Sequence, residues 1–234
     1  MRLVLENINK IFEKKQVLKD ASFIFEKGKI YGLLGRNGAG KTTLFNCISN
    51  EITYESGSIK LIEEEKNILD FSKIGFVYSN PMLPDFLTGY EFIKFFIDIN
   101  KKTIKDLKGI DEYFDIIKIN KEDRHRLIKG YSYGMKNKIQ MLCFLITKPP
   151  VILLDEPLTS FDVVVAHEIK QLLKEMRQNH ILIFSTHILQ LATDLCDEIV
   201  ILNNGELESI DSEEIHKDDF EDKIMEILKE TEHV

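Results

Sequence analysis

The spacing of apolar residues changes twice along the chain. In residues 1–78 apolar and β-branched side chains alternate or form short runs, which predicts strands. From about 84 to 147 they recur at helical spacing, and after residue 150 short apolar runs alternate with helical segments. We therefore expect an α/β core from the first and last parts, with a helical block between them. Strands are predicted at 3–8, 16–25, 29–35, 57–63, 73–79, 151–155, 181–186 and 198–202.

Helix boundaries can be predicted from capping residues and prolines. Thr88 followed by Glu91 has the spacing of a capping box, and Asn120 is a similar helix start. Pro149 and Pro150 should end the next helix. We interpret its apolar positions as ordinary core, namely Met135, Ile139, Leu142, Cys143 and Ile146.

The last part of the chain carries a hairpin signal and an acidic tail. Asn204-Gly205 lies between two strand-like segments and predicts a tight turn. The tail, 206–234, is acidic, and its apolar residues fall on one side: Phe220, Ile224, Ile227 and Leu228. We expect either a short packed helix or a frayed end there.

Composition excludes several classes of protein. The 234 residues are 44% hydrophobic, which suffices for a full core. The 39 acidic and 31 basic residues give a net charge of −8 with no basic stripe, so we expect no nucleic acid partner. Cys47, Cys143 and Cys196 have no metal-ligand spacing and predict free thiols. No apolar run reaches the roughly 20 residues that span a bilayer, so we expect a separate chain to do any spanning.

The segment GRNGAGKT, residues 35–42, matches the phosphate-loop pattern G-x-x-x-x-G-K-[ST]. It follows an apolar strand and precedes a helix, which is the context this pattern requires. Glycine-loop N–H groups can wrap a phosphate, Lys41 can reach the β- and γ-phosphates, and the Thr42 hydroxyl can bind Mg²⁺. The predicted nucleotide contacts are Gly35, Asn37, Gly38, Ala39, Gly40, Lys41, Thr42 and Thr43.

Two further strand ends carry candidate catalytic residues. The apolar strand in VILLDEP ends in Asp155, a candidate Mg²⁺ ligand, and Glu156, which can polarise an attacking water. The strand in IFSTH ends at His187, whose imidazole can donate a hydrogen bond to a γ-phosphate.

Two short segments imitate the motifs of guanine-nucleotide switches. DLKG at 106–109 and NKED at 120–123 match DxxG and NKxD by letter. The acid of a genuine DxxG ends a buried strand, whereas Asp106 lies within the helical block, and Asn120 already serves as a helix start. We therefore reject this interpretation.

The order of four motifs identifies the family. GRNGAGKTT, YSYGM, VILLDEP and FSTH follow one another as in the ATP-binding cassette (ABC) ATPases, and this resemblance covers nearly the whole chain. It implies a P-loop (RecA-like) nucleotide-binding α/β core of about 1–78 and 150–205 with an N-terminal antiparallel β region. It also implies an inserted α-helical subdomain at about 84–148, with ATP and Mg²⁺ as cofactors.

The resemblance assigns further roles, position by position. YSYGM keeps Ser132 and Gly134 where the family has its signature, which closes on the ATP held by a second cassette chain. A helix start with a serine hydroxyl and free N–H groups suits a γ-phosphate. Phe12 is similar to the aromatic residue that stacks on adenine. Asp162 is similar to a loop acid that crosses the interface between two cassettes.

The chain also departs from the family pattern. Where the family has a glutamine before the helical subdomain, counting back from Thr88 reaches Ser79 or else Asn80. That glutamine contacts Mg²⁺ and the attacking water. Tyr133 replaces a small residue and Met135 replaces a glutamine, which predicts weaker or slower closure.

The signature region is similar to that of cassettes which export drugs, bacteriocins or antibiotic peptides through a separate permease. The resemblance implies a cytoplasmic protein held peripherally at the inner face of the cell membrane by a transmembrane permease subunit. A second cassette chain, as a homodimer, completes the ATPase. Residues near 80–100, with Tyr90 and Phe95 as exposed candidates, are the expected permease groove.

Two alternative functions would have other marks in the sequence. A cassette that acts on ribosomes or DNA usually carries a second cassette, a long linker or a basic extension, and this sequence has none of them. A slow, nucleotide-gated interaction module would be consistent with the missing glutamine and the bulky signature.

Overall fold

The computed structural model describes residues 1–104, 106–157, 163–210 and 220–229, and within them the predicted α/β architecture is present. In the described residues, ten strands form two sheets. The strands are β1 (Arg2–Phe12), β2 (Lys15–Glu26), β3 (Ile30–Leu34), β4 (Ser56–Glu63), β5 (Lys66–Asn67), β6 (Ile74–Val77), β7 (Val151–Asp155), β8 (Ile181–Thr186), β9 (Glu198–Asn203) and β10 (Glu206–Ile210).

Eight α-helices are found in the described ranges. They are α1 (Lys41–Ile48), α2 (Gly89–Asn100), α3 (Ile110–Ile116), α4 (Lys121–Arg124), α5 (Tyr133–Thr147), α6 (Val163–Met176), α7 (Leu189–Leu195) and α8 (Phe220–Lys229). Among these described helices, none is long and apolar enough to cross a membrane.

The larger sheet brings the chemically interesting strand ends together. Its order is β10-β9-β3-β8-β7-β6, and β9, β3, β8, β7 and β6 run parallel while β10 is antiparallel. The carboxyl ends of β3, β8 and β7 are therefore adjacent, with β8 in the middle. The smaller sheet, β2-β1-β4-β5, is antiparallel and supplies the N-terminal β region.

The central strands are buried on both faces, as parallel strands covered by helices must be. Every residue of β3, β7 and β8 is buried. One apolar cluster joins the smaller sheet to α1 and one face of the larger sheet, and a second joins the other face to α2, α3, α5 and α6. Helix α1 and the helical block thus lie on opposite faces of one shared sheet.

The helical block starts helices at the predicted residues Thr88 and Asn120, although only Thr88 caps its helix through a side-chain hydrogen bond. The Thr88 side chain accepts from Glu91 N at 3.1 Å and the Glu91 carboxylate accepts from Thr88 N, which confirms the capping box. Asn120 begins α4, and α5 ends at Thr147, before the two prolines. The helical spacing expected over about 84–147 is divided among α2, α3, α4 and α5, which extended or turn segments separate.

Two interpretations within the helical block need revision. Tyr90, expected to be exposed, is half-buried and stacks on Phe114 and His125. The predicted apolar stripe of α5 is buried at Ile139, Leu142 and Ile146, but Met135 and Cys143 are only half-buried. The same helix also buries two polar residues, Asn137 and Gln140.

The described part of the tail packs as one of the two predicted alternatives. Helix α8 buries Phe220 and Ile224 against Leu34, Ile199 and Ile201 of the larger sheet. The hairpin prediction is confirmed, since Asn204 and Gly205 both have positive φ angles, 49° and 83°, between β9 and β10.

Candidate functional site

The phosphate loop connects β3 to α1 and leaves the start of that helix open. Gly40 precedes α1 with φ 108°, and no side chain caps the helix. A Cβ at Gly40 would lie 2.8 Å from Val17 Cγ1, so only glycine lets β2 approach this closely. The first N–H groups of α1 are therefore not capped by a side chain and can donate to a ligand, and the helix dipole favours an anion at this position.

Lys41 lies inside the loop that it belongs to. Its Nζ donates to Gly35 O at 2.7 Å and to Arg36 O at 3.1 Å, and the residue is 7% exposed. Burial lowers the pKa of Lys41, while the carboxylates of Glu156 and Asp155 act in the opposite direction. A phosphate at this position would supply a charged acceptor to the ammonium group in place of neutral carbonyls.

Thr42 and Asp155 meet across the cleft at the predicted metal position. Thr42 Oγ1 donates to Asp155 Oδ2 at 2.8 Å, and Asp155 is 3% exposed. Hydroxyl and carboxylate oxygens are the ligand types that Mg²⁺ prefers, and Mg²⁺ usually keeps waters and phosphate oxygens as its other ligands. A hydroxyl and a carboxylate leave positions for those waters and phosphate oxygens, so this donor set fits a nucleotide-borne Mg²⁺. Among the described residues, no group of three or more His, Cys, Asp or Glu side chains could hold a metal ion.

Ser185 holds the two acids in place, and sequence reasoning missed it. Its Oγ donates to Asp155 Oδ1 at 2.5 Å and accepts from Glu156 N at 3.0 Å. This is possible because β8 lies between β3 and β7, with Ser185 directly opposite Asp155 in the register. The available signal was a small polar residue near the end of the apolar run ILIFST, beside the predicted acid strand.

Glu156 turns out of its strand and faces His187. Its φ is 50°, a left-handed value that non-glycine residues adopt rarely and that is often found at functional sites. Glu156 Oε1 lies 2.8 Å from His187 Nδ1, and because a carboxylate only accepts, Nδ1 carries the hydrogen. In this arrangement the His187 Nε2 atom can donate to a γ-phosphate only when the ring is doubly protonated.

Lys41, Thr42, Asp155 and Glu156 line one open cleft of 370 Å³, within the usual size range of small-molecule sites, whereas Ser185 and His187 are not among its lining residues. The sequence did not indicate that Val17 of β2 would be one of its walls. Ser79 lines the cleft and the exposed Asn80 does not, which favours Ser79 at the position of the family glutamine. The lining residues are Val17, Asn37, Gly38, Gly40, Lys41, Thr42, Thr43, Ser79, Asp155 and Glu156.

The other predicted nucleotide contacts are not among the described residues that line the cleft. Gly35 and Ala39 belong to the same loop, where Ala39 N donates to Arg36 O at 3.1 Å. Phe12 ends β1 with 46% of its surface exposed, and Lys10 Nζ lies 5.0 Å from its ring centroid. Asp162 lies outside the described residues.

The signature residues form a second, separate helix start. Ser132 is exposed and caps α5, its Oγ accepting from Met135 N at 3.2 Å, and Gly134 lies in the first turn. Neither residue lines the described part of the cleft.

Comparison with known proteins agrees with this geometry. The model of the ABC transporter family matches residues 18–159. The ABC transporter ATP-binding protein YxlF of Bacillus subtilis is 32% identical over 208 residues, which are 88% of this chain and 69% of YxlF. The bacitracin transport ATP-binding protein BcrA of Enterococcus faecalis is 31% identical over 218 residues, 91% of this chain and 70% of BcrA.

Two solved structures share the fold. The ATP-binding subunit of an ABC transporter has a TM-score of 0.76 at 21% identity and covers 97% of this chain and 95% of its own. The ATP-binding cassette MJ0796, in a dimeric post-hydrolysis state with ADP and Pi, has a TM-score of 0.75 at 22% identity. The match covers 88% of this chain and 98% of the MJ0796 chain. From the family match and these relatives, we conclude that the chain belongs to the ABC transporter family as an ATP-binding subunit.

Proposed function

We propose that this chain is a Mg²⁺-dependent ATPase that drives a membrane permease and acts as a pair of identical chains. The observation that carries the proposal is a chain of hydrogen bonds from Thr42 through Asp155, Ser185 and Glu156 to His187. Of these residues Thr42, Asp155 and Glu156 line the cleft. Lys41 and the open start of α1 bind the β- and γ-phosphates, and Thr42 and Asp155 hold the metal.

Within this proposal Glu156 positions the attacking water and His187 orients Glu156. The Glu156 carboxylate can accept a proton from a water placed in line with the γ-phosphate. The His187 Nδ1–H bond at 2.8 Å restricts the carboxylate to one orientation. Mg²⁺ supplies charge neutralisation on the phosphate oxygens when it is bound.

The purified chain tests this reaction directly. We expect Mg²⁺-dependent phosphate release that Glu156→Gln abolishes, and a Glu156→Gln protein whose mass by light scattering doubles with Mg-ATP. The control is Glu206→Gln, which removes a carboxylate from an exposed ion pair with Lys19. Equal turnover in Glu156→Gln and the wild type would refute the assignment, and a lasting ATP-bound monomer would refute the symmetric pair.

The permease-binding surface is proposed on α2 and the loop before it. Phe95 and Ile99 are 56% and 62% exposed and lie one turn apart, and Met82 and Phe86 are 71% and 79% exposed. Exposed apolar side chains of this size are typical of interaction surfaces. Phe86→Ser with Phe95→Ser should keep the ATPase activity of the isolated chain and release it from permease-containing membranes.

Export of an antibiotic peptide is the proposed direction and cargo class. The support is the signature region together with the similarity to BcrA, a bacitracin transport protein. Loss of this chain from its host should increase sensitivity to a cyclic peptide such as bacitracin. The wild type should restore resistance and Glu156→Gln should not, whereas unchanged sensitivity would contradict this cargo class.

A further inference from the structure

One side chain joins the signature turn, residues 131–135, to a wall of the nucleotide cleft in the same chain. The Tyr133 hydroxyl donates to the backbone carbonyl of Ser79, 54 residues away in sequence. Tyr133 is the first residue of α5, directly after the cap Ser132, and Ser79 lines the cleft. The start of α5 is thereby connected to one wall of the nucleotide cleft through a single hydroxyl group.

A second bond from the same helix supports this connection. Gln140 Nε2 donates to the carbonyl of Tyr78 at 3.1 Å, and Gln140 is 8% exposed. Residues 133 and 140 lie on one face of α5, two turns apart. Two successive carbonyls of the loop after β6 are therefore held by one helix face.

The loop is also tied to the helix that follows the phosphate loop. The Tyr78 hydroxyl donates to Glu51 Oε1 at 2.9 Å, just beyond the end of α1. Burial and this bond raise the pKa of Tyr78 to about 12, so the hydroxyl stays protonated at neutral pH. A continuous set of side-chain contacts therefore runs from the end of α1 through the loop to the start of α5.

We propose that Tyr133 is a positioning residue that transmits nucleotide binding in the chain's own cleft to its signature turn. This inference rests on the proposed function, in which that turn contacts the nucleotide of a second copy. When a nucleotide restrains the wall at Ser79, the Tyr133 bond restrains the first turn of α5 as well. Closure of the pair then costs less conformational entropy, because the first turn of α5 is already ordered. ATP binding and pair formation are therefore positively coupled.

The size of the effect follows from the bond. Removing a neutral hydrogen bond changes an equilibrium by a factor of about 2 to 10. The change should be larger in pair formation than in the binding of ATP to one chain, because Tyr133 itself does not line the described cleft. Since the acceptor is a backbone carbonyl, a Ser79→Ala variant retains the bond.

The test compares Tyr133→Phe with Tyr113→Phe, both in the Glu156→Gln chain. Tyr113 also donates to a backbone carbonyl, Asp106 O at 3.2 Å, within the helical block. Tyr133→Phe should raise the Mg-ATP concentration for half-maximal pairing about 2- to 10-fold by light scattering. The affinity of the dilute monomer for ATP should fall by a smaller factor in Tyr133→Phe and stay unchanged in Tyr113→Phe.

Hydrogen exchange distinguishes coupling through Tyr133 from a purely structural contribution of this residue. In dilute Glu156→Gln monomer, Mg-ATP should slow amide exchange at residues 133–137, and Tyr133→Phe should remove this slowing while Tyr113→Phe keeps it. Identical pairing and exchange in the two variants would overturn the inference and leave the proposed function standing. If the parent itself neither binds ATP nor pairs, the proposed function fails first.

Discussion

The starts of α1 and α5 look alike in sequence and differ in their surroundings. Each follows a short turn that contains glycine, and each is a candidate phosphate contact. The α1 start has no side-chain cap, whereas Ser132 caps α5 through Met135 N. Around the α1 start the fold places Lys41, Thr42 and Asp155, while the α5 start lies outside this cleft.

The difference shows how charge is brought to a helix start. Parallel strands bring acidic and hydroxyl side chains to the edge of the sheet from which α1 begins. Helix α5 belongs to the block packed on the opposite face, and its start does not line the cleft of Asp155 and Glu156. Its first turn therefore offers backbone N–H groups and the hydroxyl of Ser132. We infer that the first start suits nucleotide binding within one chain and the second suits a nucleotide presented by another.

Loss of the Glu156 carboxylate should produce the largest effect on this comparison. Glu156→Gln keeps the shape of the cleft and removes the group that accepts the water's proton, so turnover should fall about 100-fold or more. Steady-state phosphate release measures it, with Glu206→Gln as the control. A fall of less than a few-fold would mean that the α1 site does not use this acid.

Ser185→Ala should give the next largest effect. Without the hydroxyl, Asp155 loses a bond of 2.5 Å and Glu156 N loses its acceptor, so both acids lose their orientation. Groups that orient metal ligands typically contribute about 10- to 100-fold to activity or metal affinity. The expected result is a lower turnover and a higher Mg²⁺ requirement.

Ser209→Ala is the matched control for Ser185→Ala. Its hydroxyl donates to Glu198 at an exposed site on β10, away from the cleft. Equal Mg²⁺ titrations for the two variants would remove Ser185 from the site.

Ser132→Ala and Thr88→Ala separate capping from nucleotide contact. Both residues cap a helix through their hydroxyl, so each substitution should lower the free energy of unfolding by about 1 kcal/mol in a denaturant titration. Only Ser132→Ala should also weaken ATP-driven pairing of the Glu156→Gln chain, by about 10-fold. Equal pairing in the two variants would reduce the α5 start to an ordinary cap.

The smallest expected effect concerns pH at the junction between α5 and the core. His180 is 7% exposed, its Nδ1 lies 2.7 Å from Pro149 O, and burial lowers its pKa from the usual 6.5. The unfolded chain therefore takes up this proton at a higher pH than the folded chain. Stability should fall as the pH drops below about 6.5 and level off below the folded pKa.

His180→Gln should make this part of the pH dependence flatter in denaturant titrations between neutral pH and about pH 5. The control is His125→Gln in the helical block, which lies outside the junction and stacks on Tyr90. An unchanged slope for His180→Gln would show that the buried ring does not contribute to the pH dependence.

Much of the fold was predictable because its signals are local. The runs at 30–34, 151–155 and 181–186 are continuous and apolar, and such runs predict buried parallel strands. Thr88 with Glu91, Pro149 and Asn204-Gly205 act through neighbouring backbone atoms. The prediction failed at Tyr90, because its packing against Phe114 and His125 depends on how α2, α3 and α4 are arranged.

The candidate site divides in the same way. The sequence by itself determined the phosphate loop, the acid pair and the family, because glycine, lysine and acidic residues at fixed spacing carry their chemistry wherever the chain places them. Only the tertiary structure placed Ser185 of β8 opposite Asp155 of β7 and Val17 beside Gly40. The hydrogen bond between Tyr133 and Ser79 likewise depends on the tertiary structure. Those contacts join residues that are distant along the chain, and no local spacing encodes them.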